Sequence, residues 1–78
     1  MSLRKRWRDL DRATIGRAPD RYGVYELGDE DGEVLEVGAG HLRDALKDAL
    51  AYGRASKVRW EAATSREHAE RLAAEHRE

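Results

Sequence analysis

Two short runs of β-forming residues, separated by an acidic turn, constrain the fold of this chain most. Residues 22–27 read Tyr-Gly-Val-Tyr-Glu-Leu, and residues 33–37 read Glu-Val-Leu-Glu-Val. The segment between them, 28–32, ends in Asp-Gly, a dipeptide that favours tight hairpin turns. The pattern predicts two antiparallel strands, and a two-stranded hairpin needs further elements to cover its apolar residues.

The residues after the hairpin predict a helix, a third strand and a last helix. Apolar residues from Leu42 to Leu50 recur at helical spacing, so a helix should begin near Leu42 and end near Gly53. Gly38 and Gly40 are expected to end the strand before it. Residues 57–62 alternate apolar and charged, which predicts a strand. Thr64 and Glu67 then form a capping-box pattern at the start of the last helix.

The first residues of the chain predict a basic helix. Leu3, Trp7 and Leu10 fall on one stripe of a helix over residues 3–14. On a separate stripe three arginines follow one another at steps of four: Arg4, Arg8 and Arg12. A short connector follows and ends at Pro19. The proline disfavours helical backbone at the residue before it, Ala18.

The element order therefore predicts an α+β fold. We expect a small three-stranded antiparallel sheet with flanking helices, a ββαβα core preceded by an N-terminal helix. At 78 residues the chain is one domain, 1–78, with a basic helix and connector over residues 1–19 and the core over residues 20–78.

Composition narrows the classes of function. The chain has no cysteine, which excludes disulfides, thiolate zinc sites and thiol catalysis. No apolar run is long enough for a signal peptide or a membrane span, so we expect a cytoplasmic protein without a membrane partner. Residues 1–25 carry seven basic and three acidic groups, whereas residues 26–51 carry two basic and eight acidic groups. This asymmetry fits either a basic contact surface or neutralisation within the domain.

Other polar clusters carry weaker signals. The acidic residues of the turn lack the spacing of a calcium-binding loop, so we expect a solvated hairpin turn. His41, His68 and His76 lack metal-ligand spacing and are interpreted as surface or packing residues.

From Tyr22 onward, nearly three quarters of its length, the chain resembles the core of the GIY-YIG nuclease family. Gly23-Val24-Tyr25 is similar to the Gly-Ile-Tyr motif of that family, and Glu36-Val37-Gly38 stands where the family has Tyr-Ile-Gly. The resemblance implies that Tyr25 positions or activates water, and that a glutamate of the last helix, Glu67 or Glu70, holds Mg²⁺ or Mn²⁺. The high ratio of Arg to Lys is also similar to small proteins of salt-loving archaea, whose strongly acidic charge this chain lacks.

Two departures from the family pattern bear on catalysis. The family has an essential arginine before a leucine of the helix, and Ala45 stands at that position here. Glu36 replaces the tyrosine of the second motif, and a carboxylate there would repel a phosphate unless it bound a metal. Arg43 lies about 200° round the helix from Ala45 and is expected to face elsewhere. Arg54, in the following loop, has no feature that favours it as a substitute.

We therefore expect a catalytically impaired relative of these nucleases, without a resident cofactor, that binds DNA, RNA or a protein. Nucleic acid would contact the N-terminal arginines Arg4, Arg8 and Arg12. Alternatively, these arginines only form the solvent-exposed side of a helix that packs on the sheet. The alternative function is an active metal-dependent endonuclease that uses Tyr25, Glu70 and an unidentified arginine. If these residues have structural roles only, Tyr25 is a half-buried aromatic residue of the strand, and Glu70 forms an ion pair with Arg66. A further alternative is a small scaffold domain that self-associates.

Overall fold

The predicted hairpin lies at the centre of the fold. The computed structural model describes residues 5–76, and in it β2 (Tyr22–Gly28) pairs antiparallel with β3 (Val34–His41). The Asp29 carboxylate accepts hydrogen bonds from the backbone N–H groups of Asp31 and Glu33, at 2.9 and 3.0 Å. Gly32 adopts a φ of 84°, a conformation that residues with a side chain rarely take. This acidic cluster thus shapes the turn, as the sequence indicated.

The sheet has four strands, one more than predicted. β4 (Lys57–Ala62) matches the predicted third strand and pairs with β2, the first strand of the hairpin. The additional strand is β1 (Arg8–Asp9), which pairs with β4, so the order is β1-β4-β2-β3 with every pair antiparallel. The α+β class is confirmed, and the strand count of three is wrong.

Helices cover both faces of the sheet. They are α1 (Arg12–Arg17), α2 (Leu42–Tyr52) and α3 (Arg66–His76). Successive residues of a strand point to opposite faces: Leu27 of β2 packs in one cluster with Leu46 of α2, and Val24 packs in another with Ala73 of α3. α1 lies against α2 on the first face. Within residues 5–76, no helix has the length and apolar character needed to cross a bilayer.

β3 continues through the two glycines that were predicted to end it. Gly38 pairs with Tyr25, and Gly40 pairs with Gly23, so both glycines lie inside the ladder. The predicted end of the strand at Val37 is therefore wrong. A glycine weakens a strand when its missing side chain leaves a gap, but a large neighbour can fill the space. The Tyr25 ring does so at Gly38.

The predicted helix over residues 3–14 is wrong over residues 5–11 and right over residues 12–14, which belong to α1. Residues 8–9 form β1, and α1 begins only after Asp11, whose Oδ1 accepts a hydrogen bond of 2.8 Å from the Thr14 N–H. The hydrogen bonds from Thr14 hold the pKa of the Asp11 carboxyl below its usual value. Tertiary pairing with β4 therefore overrides the helical spacing, and the predicted arginine stripe does not form. Arg4 lies outside the described residues.

The start of α3 is shifted by one residue from the predicted capping box. Ser65, not Thr64, precedes the helix, and its Oγ accepts a hydrogen bond of 3.1 Å from the His68 N–H. The His68 ring takes the reciprocal role predicted for Glu67, because its Nδ1 accepts from the Thr64 N–H at 3.0 Å. The predicted box of Thr64 and Glu67 is therefore wrong, and His68 serves local structure.

A buried ion pair joins the two central strands on the α3 side of the sheet. Glu26 of β2 is 1% exposed, and its Oε1 accepts a hydrogen bond of 2.6 Å from Nε of Arg59 in β4. The Trp7 ring lies 4.0 Å from the Arg59 guanidinium carbon, and Arg59 Nη1 donates to the Lys5 carbonyl at 3.3 Å. The N-terminal segment thus covers Arg59 of β4, whereas α3 packs mainly on β2 and β3.

We expect Glu26→Ala to destabilise the protein strongly, because it leaves the Arg59 charge buried without its partner. The free energy of unfolding should fall by about 3–5 kcal/mol, as measured by urea denaturation followed by circular dichroism. Glu70→Ala removes the exposed partner of Arg66 and should cost about 0–1 kcal/mol. The double variant Glu26→Leu with Arg59→Met should recover most of the loss. Equal, small losses for Glu26→Ala and Glu70→Ala would contradict a structural role for the pair.

Candidate functional site

Tyr25 lies on the α2 side of the sheet, directly opposite Gly38 of β3. A Cβ atom added at Gly38 would overlap Cζ and Oη of the Tyr25 ring, so the ring occupies the space above this glycine. Contact of this kind fixes the ring against the strand and leaves it partly exposed. The tyrosine is thus held in one place by the glycine of the second motif.

A shallow cavity of about 440 Å³ beside this ring, which we call the Tyr25 pocket, lies between the hairpin and α2. Its polar lining includes the carboxylates of Glu36 and Asp48, and none of the basic residues that the structure describes lines it. Neither carboxylate forms an ion pair within residues 5–76. Two such carboxylates make the potential in the pocket negative, and a phosphate group would be repelled there.

The structure brings together three positions that the sequence singled out. Tyr25, Glu36 and Ala45 all line the Tyr25 pocket, Ala45 from the side of α2. Arg43, two residues earlier in α2, lines a different cavity, as its helical position predicted. Arg54 does not line the pocket. Among the described residues, no arginine therefore lines the Tyr25 pocket.

The glutamates expected to hold a metal lie on the other face of the sheet. α3 carries both Glu67 and Glu70 and packs on the face opposite Tyr25. Glu70 lies 3.6 Å from Arg66, the pairing that the sequence offered as its structural role. Among residues 5–76 there is no group of three or more His, Asp or Glu side chains that could hold a metal ion. The structure thus does not unite Tyr25 with Glu70.

A second and larger cavity, the basic groove, runs between α1 and α2. It has a volume of about 850 Å³ and presents three cations, Arg12, Arg43 and Lys47, beside the apolar side chains of Ile15 and Leu50. No acidic residue of the described part of the chain lines it. Arg43 Nη2 donates a hydrogen bond of 3.1 Å to the Ala18 carbonyl, which ties α2 to the end of α1.

The basic groove contains one residue that the sequence predicted and two that it missed. Arg12 was among the predicted arginines, whereas Arg43 and Lys47 were not assigned to a binding surface. Their spacing of four residues on α2 placed them on one side of that helix. The sequence did not predict that α1 lies against α2, which brings Arg12 beside Arg43 and Lys47.

A further cavity, the edge pocket, lies where β1 meets β4 and is small, about 160 Å³. Four cations and one aromatic ring line it: Lys5, Arg6, Arg8, Arg59 and Trp60. The guanidinium of Arg8 lies over the Trp60 ring, 5.1 Å from its centroid. Arg8 therefore lies apart from Arg12, and the two predicted arginines belong to different cavities.

We expect Gly38→Ala to destabilise the protein by about 1–3 kcal/mol, because the new methyl group overlaps the Tyr25 ring. Gly40→Ala is the matched control, since a Cβ there meets no atom within 4 Å. Introducing Tyr25→Ser together with Gly38→Ala should remove most of the extra cost. A double-mutant cycle from thermal denaturation measures this coupling. Additive losses would show that the ring is not held by Gly38.

Comparison with known proteins identifies the family of the chain. No curated protein and no solved structure matches it. A family model described as "Domain of unknown function (DUF7508)" matches residues 1–78. Because that match spans the whole sequence, the chain is a member of the DUF7508 family.

Proposed function

We propose that this domain binds nucleic acid without cleaving it, and that the basic groove is the contact surface. The observation that carries the proposal is the separation of charge on α2: cations line the groove, and carboxylates line the Tyr25 pocket. In this proposal the chain is a relative of the GIY-YIG nucleases that has kept the architecture and lost the catalytic groups.

Electrostatics supports phosphate as the ligand of the groove. Arg12 and Lys47 are exposed and form no ion pair within residues 5–76, so their charges are not neutralised locally. Arg43 is positioned by a neutral carbonyl and keeps its charge as well. Cations that neutralise phosphates release condensed counterions, and this release supplies most of the affinity in sequence-independent binding. A guanidinium can also donate two parallel hydrogen bonds to one phosphate.

Three features argue against cleavage. Ala45 cannot neutralise the charge that develops on a phosphate during displacement, and loss of such a contribution typically costs orders of magnitude in rate. Glu36 and Asp48 would repel the phosphate before it reached Tyr25. Glu67 and Glu70 lie on the opposite face of the sheet.

The double variant Arg12→Ala with Lys47→Ala should bind nucleic acid at least about tenfold more weakly at about 50 mM salt. Fluorescence anisotropy with labelled single-stranded DNA, single-stranded RNA and duplex DNA measures the affinity. The slope of log Kd against log salt should fall by about 1.4 to 1.8, because two phosphate contacts are lost. The control Arg66→Ala with Arg71→Ala removes the same charge from α3 and should leave the affinity nearly unchanged.

Two results would contradict the proposal. One is the absence of salt-dependent binding to any of the three nucleic acids. The other is cleavage of plasmid or single-stranded substrate in the presence of Mg²⁺ or Mn²⁺ that disappears in Tyr25→Phe. That second result would establish the active endonuclease instead.

A further inference from the structure

The edge pocket contains cations that are already held in place. Arg59 is fixed by the Glu26 carboxylate at 2.6 Å, by the Lys5 carbonyl at 3.3 Å and by the Trp7 ring at 4.0 Å. Arg8 is fixed over the Trp60 ring. A guanidinium that stacks on an aromatic ring keeps the N–H groups at its planar edge available for an oxyanion. Such preorganisation lowers the entropy that ligand binding would otherwise cost.

The charge in the edge pocket is strongly positive. Glu26 offsets the charge of Arg59, but no acidic residue among residues 5–76 lines the pocket to offset Lys5, Arg6 and Arg8. None of these three side chains forms an ion pair with another described residue. The nearby Asp9 is paired with Lys57 at 2.5 Å, so it neutralises a different cation. Three uncompensated positive charges therefore meet at one small cavity.

We propose that the edge pocket binds the terminal phosphomonoester of a nucleic-acid strand. This inference rests on the proposed function and adds to it the chemical class of strand end that the domain prefers. A phosphomonoester carries about −1.5 to −2 charges at pH 7, whereas each internal phosphodiester carries one. A pocket with three uncompensated cations discriminates in favour of the more highly charged group.

The sizes of the two basic cavities agree with this division. The edge pocket, at about 160 Å³, is far smaller than the basic groove, at about 850 Å³. A small cavity accepts one phosphate group end-on, and an open groove accepts a length of strand. The strand end and the strand body thus have separate contact sites.

The test compares one labelled single-stranded oligonucleotide with a 5′-phosphate, with a 3′-phosphate and with hydroxyl groups at both ends. For the unaltered protein we expect one phosphorylated form to bind at least about fivefold more tightly than the hydroxyl form. Arg6→Ala with Arg8→Ala should abolish this preference. Arg12→Ala with Lys47→Ala should weaken all three forms by the same factor and leave the preference intact.

Intrinsic fluorescence supplies a second readout that does not depend on the groove. The chain has two tryptophans, Trp7 and Trp60, and one lines the edge pocket while the other stacks on Arg59. Titration with inorganic phosphate and with a nucleoside 5′-monophosphate should change this fluorescence saturably in the unaltered protein and not in Arg6→Ala with Arg8→Ala. Circular dichroism of that variant shows whether its fold is intact, and Lys5→Ala offers a milder change at the same pocket.

The outcomes separate the two proposals. Oligonucleotides that bind equally well with and without a terminal phosphate overturn the edge-pocket assignment and leave the proposed function in place. Binding of the nucleoside monophosphate that requires Arg6 and Arg8, without binding of any oligonucleotide, overturns both nucleic-acid binding and the strand end as the ligand of the pocket. Loss of affinity without loss of preference in the Arg6 and Arg8 variant also overturns the pocket.

Discussion

The ion pair between Glu26 and Arg59 determines where the N-terminal part of the chain lies. A buried charge pair is tolerated when its other polar atoms are satisfied and water is excluded. Here the Lys5 carbonyl accepts from Arg59, and the Trp7 ring covers the guanidinium. The segment that supplies both groups, residues 5–7, therefore lies on the α3 side of the sheet against β4. This course makes β1 an edge strand and brings α1 onto the opposite face, where it meets α2.

Signals within a few residues of one another predicted most of the core, and signals that depended on distant partners did not. The hairpin, α2 and β4 follow from turn residues and periodicity, and the structure has all three. The N-terminal helix was also predicted from helical spacing, that of Leu3, Trp7 and Leu10. Its Trp7, however, packs against Arg59 and above Gly28, where an added Cβ would lie 2.7 Å from the ring. Neither partner is visible in the local sequence, so periodicity alone gave the wrong element.

The candidate sites also differ in whether they depend on neighbouring elements or on distant parts of the chain. The Tyr25 pocket could be predicted because its three singled-out positions lie on adjacent elements, β2, β3 and α2, whose order was clear. The basic groove could not be predicted, because it forms only when α1 lies beside α2. The edge pocket depends even more on tertiary structure, since Lys5 and Arg59 are 54 residues apart in sequence. Cations dispersed along the chain become a surface only after the N-terminal segment has folded back.

α2 explains how one small domain can keep two opposite electrostatic surfaces close together. Ala45 and Asp48 face the Tyr25 pocket, whereas Arg43 and Lys47 face the basic groove. An arginine at position 43 lies about 200° round the helix from position 45. Its charge therefore lies on the groove side of α2 and not beside Tyr25. Catalysis requires a cation at the reacting atoms, whereas binding requires only cations along the contact surface. In the function that we propose, the same helix contributes to binding of a strand and contributes nothing to its cleavage.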